Sequence, residues 1–578
     1  MFNKENPMKL VNALLGATAA CALAPMAFAE GHEGERGRDG NVSIIYWQAP
    51  SILTPFLSGG TKDTEAASLT LEPLARYDEA GTLTPWLVEE IPTVENGGVT
   101  EDLTQITWKI APGILWSDGT PLTSADVKFT AEYCMHPDGG CAQLTKFSGV
   151  TSVETPDEKT VVVTFDKPTP FPYGPFVGAE SPILQAAQFA NCLGADAPTC
   201  TEQNFNPIGT GPFKVVEFKP NDVITYEANE NFRHEGKPAF ASVTFKGGGD
   251  ATSAGRAVME TGEFDYGWNL QLAPDVIASM EAAGKGKAVA GFGPLLERIM
   301  VNQTNPDPAL GPDERSVIRP HPIFKDIEVI EAMSMAIDRP LLVEVGYGQA
   351  GKVGCNWIPA PPAVVSTTFD CSTPDIEGAK AKLEAAGWVD SNGDGVREKD
   401  GVEMRILYQS STNAVRQDFQ ALIKDWWEQI GFAVDLRNVD SSVFFGGDPS
   451  SPDTFQKFYA DVEMYANTFP GTDPQSYLGN MLCDKAPSPA SQWQGENMSR
   501  FCSEEYDALY AKLTETADAA ERAEISKKLN DLAVAGGAMI PLVHRGRLSA
   551  HAHSLGGVKL NVWDSELWNV ADWYRIKN

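Results

Sequence analysis

The stretch that decides the fold class is Trp116-Ser-Asp-Gly-Thr-Pro-Leu-Thr-Ser-Ala-Asp-Val127. Its Asp118-Gly119 pair is typical of a hairpin turn. Thr123 and Asp126 form a capping box that begins a helix, because each side chain accepts a backbone amide hydrogen from the other residue. Predicted strands and helices alternate on both sides of this strand-turn-helix unit, which indicates α/β lobes rather than an all-α or all-β domain.

Further elements follow from apolar periodicity and from helix start and stop signals. The predicted strands are Asn41–Gln48, Gln105–Ile110, Val161–Phe165, Phe213–Phe218, Val223–Glu227 and Met404–Tyr408. The main predicted helices begin at Pro274, run from Asn413 to Ile430, and follow a cap formed by Asp518 and Glu521.

The charge balance excludes several classes of partner. The chain has 578 residues, with 45 Lys and Arg against 78 Asp and Glu, a formal net charge of −33. Nucleic acids and anionic membranes are bound by clustered basic residues, so neither is expected as a partner. The length is sufficient for about three domains of ordinary size.

The N-terminus predicts export. Lys4 and Lys9 precede an apolar run over residues 10–23, and Ala27-Phe28-Ala29 is a small-x-small cleavage site. This is the pattern of a secretory signal peptide cleaved after Ala29, and it predicts a periplasmic protein. The alternative is a lipoprotein anchored at Cys21. No later segment reaches about 18 unbroken apolar residues, so no membrane span is expected in the mature chain.

The cysteines agree with an oxidising compartment. Eight remain beyond Cys21, and they fall into sequence-local pairs. Because short loops close most readily, nearest neighbours are predicted to form disulfides. The predicted bridges are Cys134–Cys141, Cys192–Cys200, Cys355–Cys371 and Cys483–Cys502. Zinc is the alternative, but the sequence has no C-x-x-C motif.

The sequence lacks the common motifs for catalysis. One loop has the residue spacing of a calcium site. There is no H-E-x-x-H, G-x-S-x-G or P-loop motif. The residues with calcium-loop spacing are Asp390, Asn392, Asp394, Val396 and Glu398. Gly401 stands where the bidentate Glu of such a loop belongs, so the alternative is a plain Asp/Asn/Gly turn. We expect no catalytic residues and no required cofactor, with calcium as a structural ion at most.

Aromatic residues beside polar residues end several predicted strands. The groups are Tyr46-Trp47-Gln48, Tyr266-Gly-Trp268-Asn269 and Tyr465-Ala-Asn467. Aromatic walls with a few polar anchors are typical of pockets for small organic ligands. The alternative for any one of these rings is ordinary core packing.

Six strings, in order, carry a resemblance to a known family. They are Leu71-Glu-Pro-Leu-Ala-Arg-Tyr-Asp78 with the Gly81–Pro85 stretch, the Trp116–Val127 stretch, Pro207-Ile-Gly-Thr-Gly-Pro-Phe213 with Asn229–Phe232, Phe324–Arg339, Ala385-Ala-Gly-Trp388 and Asp473-Pro474. With these strings the chain resembles the extracellular solute-binding proteins of family 5, which feed ABC importers for dipeptides, oligopeptides and nickel.

The resemblance implies a large two-lobed periplasmic-binding-protein fold of the type II or cluster C kind, with an extra subdomain on the first lobe. The expected segments are 1–29 (signal peptide), 30–75, 205–300 and 540–578 (first lobe), 76–204 (extra subdomain) and 301–539 (second lobe). The chain is expected to cross between lobes near Met300–Thr304 and Met539–Val543. The resemblance also implies a monomer that delivers its ligand to the transmembrane subunits of an ABC permease.

One departure from the family bears on the ligand. Peptide binders of this family offer a Trp, and three residues later an Asp that grips the peptide's amino group. Asn467 and Pro470 stand at these places. A plain dipeptide is therefore disfavoured. A peptide or peptide-like compound remains the first expectation, with an opine-like compound, an oligosaccharide or a metal chelate as alternatives, and a secreted hydrolase as a remote one.

The predicted ligand-binding residues come from strand ends and from the family's ligand-contacting segment. They are Trp47, Gln48, Trp268, Asn269, Tyr408, Gln409, Arg416, Asn467 and Phe469. Arg416 is included because a guanidinium group can bind a ligand carboxylate through two parallel hydrogen bonds.

Overall fold

The computed structural model describes residues 34–307, 309–310, 319–448, 450–469 and 471–577. The predicted signal peptide, the alternative anchor Cys21 and Pro470 lie outside the described residues. Within the described part, two large sheets, one small sheet and three strand pairs form the framework.

The first large sheet has seven strands and mixed direction. In spatial order they are β11 (Gly286–Gly291), β20 (Arg547–Ala552), β10 (Tyr266–Trp268), β1 (Asn41–Tyr46), β9 (Ser242–Gly247), β8 (Val223–Ala228) and β7 (Phe213–Lys219). β1 is parallel to both of its neighbours, β10 and β9. β20 runs antiparallel to β10, so the start of β20 lies at the edge where β1 and β10 end.

The second large sheet has six strands. In spatial order they are β13 (Gly351–Val353), β19 (Met539–Arg545), β12 (Leu296–Val301), β18 (Val462–Asn467), β16 (Arg405–Ser411) and β17 (Ala433–Val439). β12 is antiparallel to both β18 and β19. The ends of β18 and β19 therefore share an edge with the start of β12.

The smaller sheets belong mainly to the first half of the chain. They are the three-stranded sheet of β4 (Gln105–Lys109), β6 (Thr160–Phe165) and β5 (Val150–Asp157), and the pairs β2 (Ala75–Tyr77) with β3 (Leu83–Pro85), β14 (Glu398–Lys399) with β15 (Val402–Glu403), and β21 (Leu555–Gly556) with β22 (Tyr574–Arg575).

The α-helices of the described residues cover the sheets. They are α1 (Thr61–Ala67), α2 (Ser124–Met135), α3 (Ala186–Phe189), α4 (Thr201–Phe205), α5 (Ala251–Met259), α6 (Pro274–Glu281), α7 (Ile327–Met335), α8 (Arg339–Gly346), α9 (Ile376–Ala385), α10 (Ala414–Gln429), α11 (Ser441–Phe444), α12 (Gln475–Leu478), α13 (Glu504–Glu515) and α14 (Ala519–Ala535). The capping box predicted at Thr123 and Asp126 is confirmed at α2.

The Trp116–Val127 stretch is hydrogen-bonded to the stretch that contains Gly209, so two of the six sequence strings are in contact. The indole nitrogen of Trp116 lies 3.4 Å from Oδ2 of Asp126, inside a core built on the three-stranded sheet. The amide of Ser117 donates to the carbonyl of Gly209 at 2.9 Å. A Cβ on Gly209 would lie 1.9 Å from the Thr70 carbonyl oxygen, so only glycine allows this close approach.

The chain passes between the two large sheets at two places. It leaves the first sheet after β11, enters the second at β12 through residues 292–295, and returns through Gly546 alone, between β19 and β20. The crossings expected near Met300–Thr304 and Met539–Val543 are wrong, because Met300 lies within β12 and Met539–Val543 lies within β19. The predicted limits of the lobes and of the extra subdomain stay a prediction.

The structure contains the four disulfides of the nearest-neighbour pairing: Cys134–Cys141, Cys192–Cys200, Cys355–Cys371 and Cys483–Cys502. A search of the described residues for a bilayer-crossing helix finds none with the required length and apolarity.

Candidate ligand-binding cleft

A cavity of about 700 Å³ lies where the edges of the two large sheets meet. From the first sheet, Gln48 follows β1, Trp268 ends β10 and Arg547 begins β20. From the second sheet, the end of β18 and Arg545 at the end of β19 line the opposite side. This space includes the part of the cleft that is open to solvent, and strand ends are where α/β sheets commonly bind a small organic ligand.

Aromatic rings face the cleft from both sheets. The Trp268 ring stacks on Tyr46 of the first sheet, with centroids 4.5 Å apart and planes inclined by 4°. On the other side, Phe455 and Tyr465 meet edge-to-face at 5.3 Å. Because each of these pairs fixes its rings, the cleft has rigid aromatic surfaces on opposite walls.

A first ionic cluster, the Glu297 cluster, lies on the second sheet. Nε of Arg416 donates to Glu297 Oε1 at 2.7 Å, and Nη1 of Arg545 donates to Oε2 at 3.2 Å. The Tyr347 hydroxyl also donates to Oε2, at 3.0 Å. Burial alone raises the pKa of the Glu297 carboxyl, but the charges of Arg416 and Arg545 outweigh it and hold that pKa below its usual value.

A second ionic cluster, the Arg547 cluster, lies on the first sheet. Nη1 of Arg547 is 3.4 Å from Glu65 Oε1, and the backbone amide of Glu566 donates to the same oxygen at 3.1 Å. The hydroxyls of Tyr266 and Ser549 both donate to Glu566 Oε2 at 2.5 Å. Burial raises the pKa of Glu65 to about 7, against the lowering effect of Arg547 and with a further rise from the Glu566 charge. Burial also raises the pKa of Glu566.

The cavity continues beyond the cleft. A neighbouring cavity of about 460 Å³ shares Gly59, Asn467 and Thr468 with the cleft. A third, of about 580 Å³, shares Thr145, Lys146 and Ser476 with the second. The three cavities therefore form a row that leads from the sheet edges towards the segment around Phe171.

The loop with calcium spacing forms hydrogen bonds within itself. Asp390 accepts the amides of Gly393 and Gly395 at 2.6 and 2.9 Å, and Asp394 accepts the amide of Val396 at 2.9 Å. Among the residues that the structure describes, no three His, Cys, Asp or Glu side chains are grouped to hold a metal. As folded, the loop is an Asp/Gly turn closed by its own hydrogen bonds, and calcium binding at Asp390, Asn392, Asp394, Val396 and Glu398 stays a prediction.

Comparison with known proteins identifies the family. The sequence model described as bacterial extracellular solute-binding proteins, family 5 Middle, matches residues 82–488. The chain belongs to this family. The resemblance seen in the six sequence strings is therefore confirmed.

Among curated relatives of this family 5 protein, the oligopeptide-binding protein AppA of Bacillus subtilis is 26% identical over 71% of each chain. The structure of AppA with a nonapeptide matches with a TM-score of 0.79 at 21% identity, over 94% of this chain and all of that one. NikZ of Campylobacter jejuni with Ni(L-His) matches with a TM-score of 0.77 at 20% identity, over 93% and 99%. AgaA of A. tumefaciens R10 with agropinic acid matches with a TM-score of 0.74 at 21% identity, over 93% and 99%. These matches confirm the predicted fold class.

The structure brings five of the predicted site residues of this family 5 protein together around the cleft. They are Gln48, Trp268, Asn269, Arg416 and Asn467. Phe469 lines the neighbouring cavity instead. Arg416 reaches the cleft, but its donors are held by Glu297 and by Ser411, whose hydroxyl accepts from Nη1 at 2.8 Å. Three of its five N–H donors are used in this way, and the binding of a ligand carboxylate by Arg416 stays a prediction.

Three predicted residues lie away from the cleft. Trp47 packs on the opposite face of the first sheet, against α5, and its indole nitrogen donates to the Asn269 carbonyl at 2.8 Å. Tyr408 is fully buried beneath α10, with its ring 5.3 Å from that of Trp427. The Gln409 amide donates to Glu463 at 2.8 Å. Trp47 and Gln48 directly follow the end of β1, and their side chains lie on different sides of the first sheet.

Sequence reasoning missed three of the four basic residues that line the cleft. Arg545 and Arg547 flank Gly546, the single residue that joins β19 to β20, and both line the cleft. Lys62, Phe445, Phe455 and Glu566 were missed as well. The available signal was the Arg545-Gly546-Arg547 triplet itself, two basic residues around a glycine in a strongly acidic chain.

Proposed function

We propose that this chain is the periplasmic substrate-binding component of an ABC importer, and that it captures a peptide or peptide-like solute between its two large sheets for delivery to the membrane permease. Membership of the family supports the role. The relatives named above hold a nonapeptide, Ni(L-His) and agropinic acid, so the fold accommodates peptides and other small solutes.

The observation that carries the proposal is the cleft itself. Its walls come from both sheets, with Trp268 on one side and Phe455 on the other. Within the described residues, the chain connects the two large sheets through two short segments, 292–295 and Gly546. A solute that contacts both walls would stabilise the closed arrangement over an open one, which is how such a protein signals occupancy to a permease.

The row of cavities supports a solute longer than a dipeptide. The two neighbouring cavities provide further room next to the cleft. At the place of the family's Trp, the Asn467 side-chain oxygen accepts the amide of Thr468 at 2.8 Å. Three residues later, Pro470 stands where the family's Asp would supply a charge for an amino group, which favours peptide-like solutes over plain dipeptides.

The test starts from protein expressed with its own N-terminus and purified from the periplasm. Native mass spectrometry should show a bound solute, and the unfolded and refolded protein should rebind it in calorimetry with one site. Small-angle scattering should show a smaller radius of gyration when the solute is added. A solute recovered chemically unchanged after long incubation supports binding rather than hydrolysis. An empty protein that also binds nothing from yeast extract contradicts the proposal.

A further inference from the structure

The charges that line the cleft are unequally distributed. Lys62, Arg416, Arg545 and Arg547 line it, against the single carboxylate of Glu566. Each of the four cations is at least nine-tenths buried. Burying charged groups is costly unless each one is paired or serves a ligand, so the partners of each cation decide what the cleft can bind.

Two of the four cations are engaged mainly within the protein. Nζ of Lys62 donates to both oxygens of Asp63, at 3.0 and 2.8 Å, and to the Ser51 hydroxyl at 3.1 Å. Arg416 is held by Glu297 and Ser411 as described above. Lys62 therefore has no donor left for a ligand, while Arg416 keeps two of its five N–H donors.

Arg547 is engaged on one side only. Its Nη1 donates to the carbonyls of Asn561 and Asp564 at 3.2 and 2.8 Å and faces Glu65. Within the described part of the chain, its Nε and Nη2 have no hydrogen-bond partner. These two nitrogens form one edge of the guanidinium plane, which matches the two oxygens of a carboxylate. Next to it, Nε of Arg545 is buried without a partner among the described residues.

The single carboxylate of the lining is engaged within the protein through one of its two oxygens. Glu566 Oε2 already accepts two short hydrogen bonds, from Tyr266 and Ser549. Burial raises the pKa of Glu566, which disfavours its charged form further. The cleft therefore offers an open edge of guanidinium donors for an anion, while its one carboxylate is partly engaged and has a raised pKa.

We propose that the cleft selects an organic anion with no required amino group: Nε and Nη2 of Arg547 bind its carboxylate, and its apolar part lies between Trp268 and Phe455. This inference rests on the proposed solute-binding function and narrows its ligand class to carboxylates, including amine-blocked peptide-like compounds.

The test uses ligand-free wild-type protein and three portions of one yeast extract: untreated, acetylated to block amines, and methylated to block carboxylates. Native mass spectrometry measures the occupied fraction. We expect capture from the untreated and acetylated portions, and at least tenfold less from the methylated portion. Capture from the methylated portion, or loss on acetylation, overturns the inference while leaving solute binding intact. An empty protein in all three arms contradicts the proposed function and this inference with it.

Variants test whether Arg547 is the residue that binds the carboxylate of the captured solute. Arg547→Gln removes the open edge and should lower occupancy from the acetylated portion at least tenfold. Arg547→Lys keeps the charge without the paired donors and should give an intermediate loss. The matched control is Arg437→Gln, which removes a partly exposed arginine paired with Asp453 outside the cleft and should leave capture unchanged. If Arg547→Gln, with a melting temperature like that of wild type, captures as much as wild type, the assignment to Arg547 is wrong.

Discussion

Two buried ionic clusters face the same cleft from opposite sheets. Their compositions are inverted, because one has more guanidinium groups than carboxylates and the other has more carboxylates than guanidinium groups. In the Glu297 cluster, one carboxylate serves two guanidinium groups, those of Arg416 and Arg545. In the Arg547 cluster, one guanidinium group lies beside two carboxylates, Glu65 and Glu566. The first carboxylate has a lowered pKa and the other two have raised ones.

The difference shows how one cleft can combine a fixed charge with a variable one. Glu297 stays ionised at any ordinary pH because two cations hold it. Glu65 and Glu566 repel each other in a buried site, so near neutral pH the pair retains a proton. The three arginines of the two clusters then exceed the ionised carboxylates by one. That excess agrees with the selection of an anion, and the following variants test it.

Removing the carboxylate of the first cluster should have the largest effect. Glu297→Gln leaves Arg416 and Arg545 buried without a counter-charge, which should lower the free energy of unfolding by about 3–5 kcal/mol. Urea unfolding at pH 7 measures the loss. Glu428→Gln is the control, because Glu428 forms an exposed pair with Lys424 that is worth little. A loss of the same size in both variants would contradict a structural role for Glu297.

The second cluster should make stability depend on pH. The Glu65 pKa is raised to about 7 in the folded protein from an ordinary value near 4.5. As pH rises from about 4.5 to 7, the unfolded carboxyl ionises first, so the free energy of unfolding falls. Glu566→Gln removes one of the two repelling charges.

Relative to wild type, Glu566→Gln should therefore become more stable as pH rises from 5 to 8. Urea titrations of both proteins at several pH values measure the difference. Parallel curves over this range would show that the pair does not share a proton. Glu428→Gln, measured at the same pH values, controls for the change in net charge.

The sequence predicts one wall of the cleft better than the other. Gln48, Trp268 and Asn269 were found because the first-sheet strands end close to where their apolar pattern ends. Tyr408 and Gln409 were taken as a strand end, but β16 continues to Ser411, so both lie within the strand.

The basic residues of the cleft depend on tertiary geometry. Arg545 and Arg547 come together with Asn269 and Glu65 because the chain changes sheets at Gly546. Alternation along a strand carries no information about a change of sheet. For the same reason the crossings were predicted too far inside β12 and β19.

Trp268 lies between the two clusters, next to Asn269, whose side chain accepts a hydrogen bond from Arg545. Trp268→Ala removes one aromatic wall and should weaken binding of the captured solute about tenfold or more, which is about 1.4 kcal/mol. Asn467→Ala should weaken it less, since Asn467 contributes at most a neutral hydrogen bond. Calorimetry measures both, with Trp568→Ala as the control outside the cleft. Wild-type affinity in both variants, at unchanged melting temperature, would place the ligand elsewhere.

The smallest expected effect comes from a matched pair of hydroxyl deletions. Tyr347→Phe removes one donor from Glu297, which keeps its bonds to Arg416 and Arg545. The loss should be about 1 kcal/mol and the same at pH 5 and pH 8, both above the lowered pKa of Glu297. Tyr266→Phe removes one of the two hydroxyl donors of Glu566 and leaves Ser549. Since the Tyr266 hydrogen bond lowers the pKa of Glu566, its removal raises that pKa further, and the loss of stability should grow as pH rises. Urea unfolding at pH 5 and pH 8 separates the two variants. An equal pH dependence in both would mean that the two clusters, one with an excess of arginine and one with an excess of carboxylate, do not differ in how their carboxylates ionise.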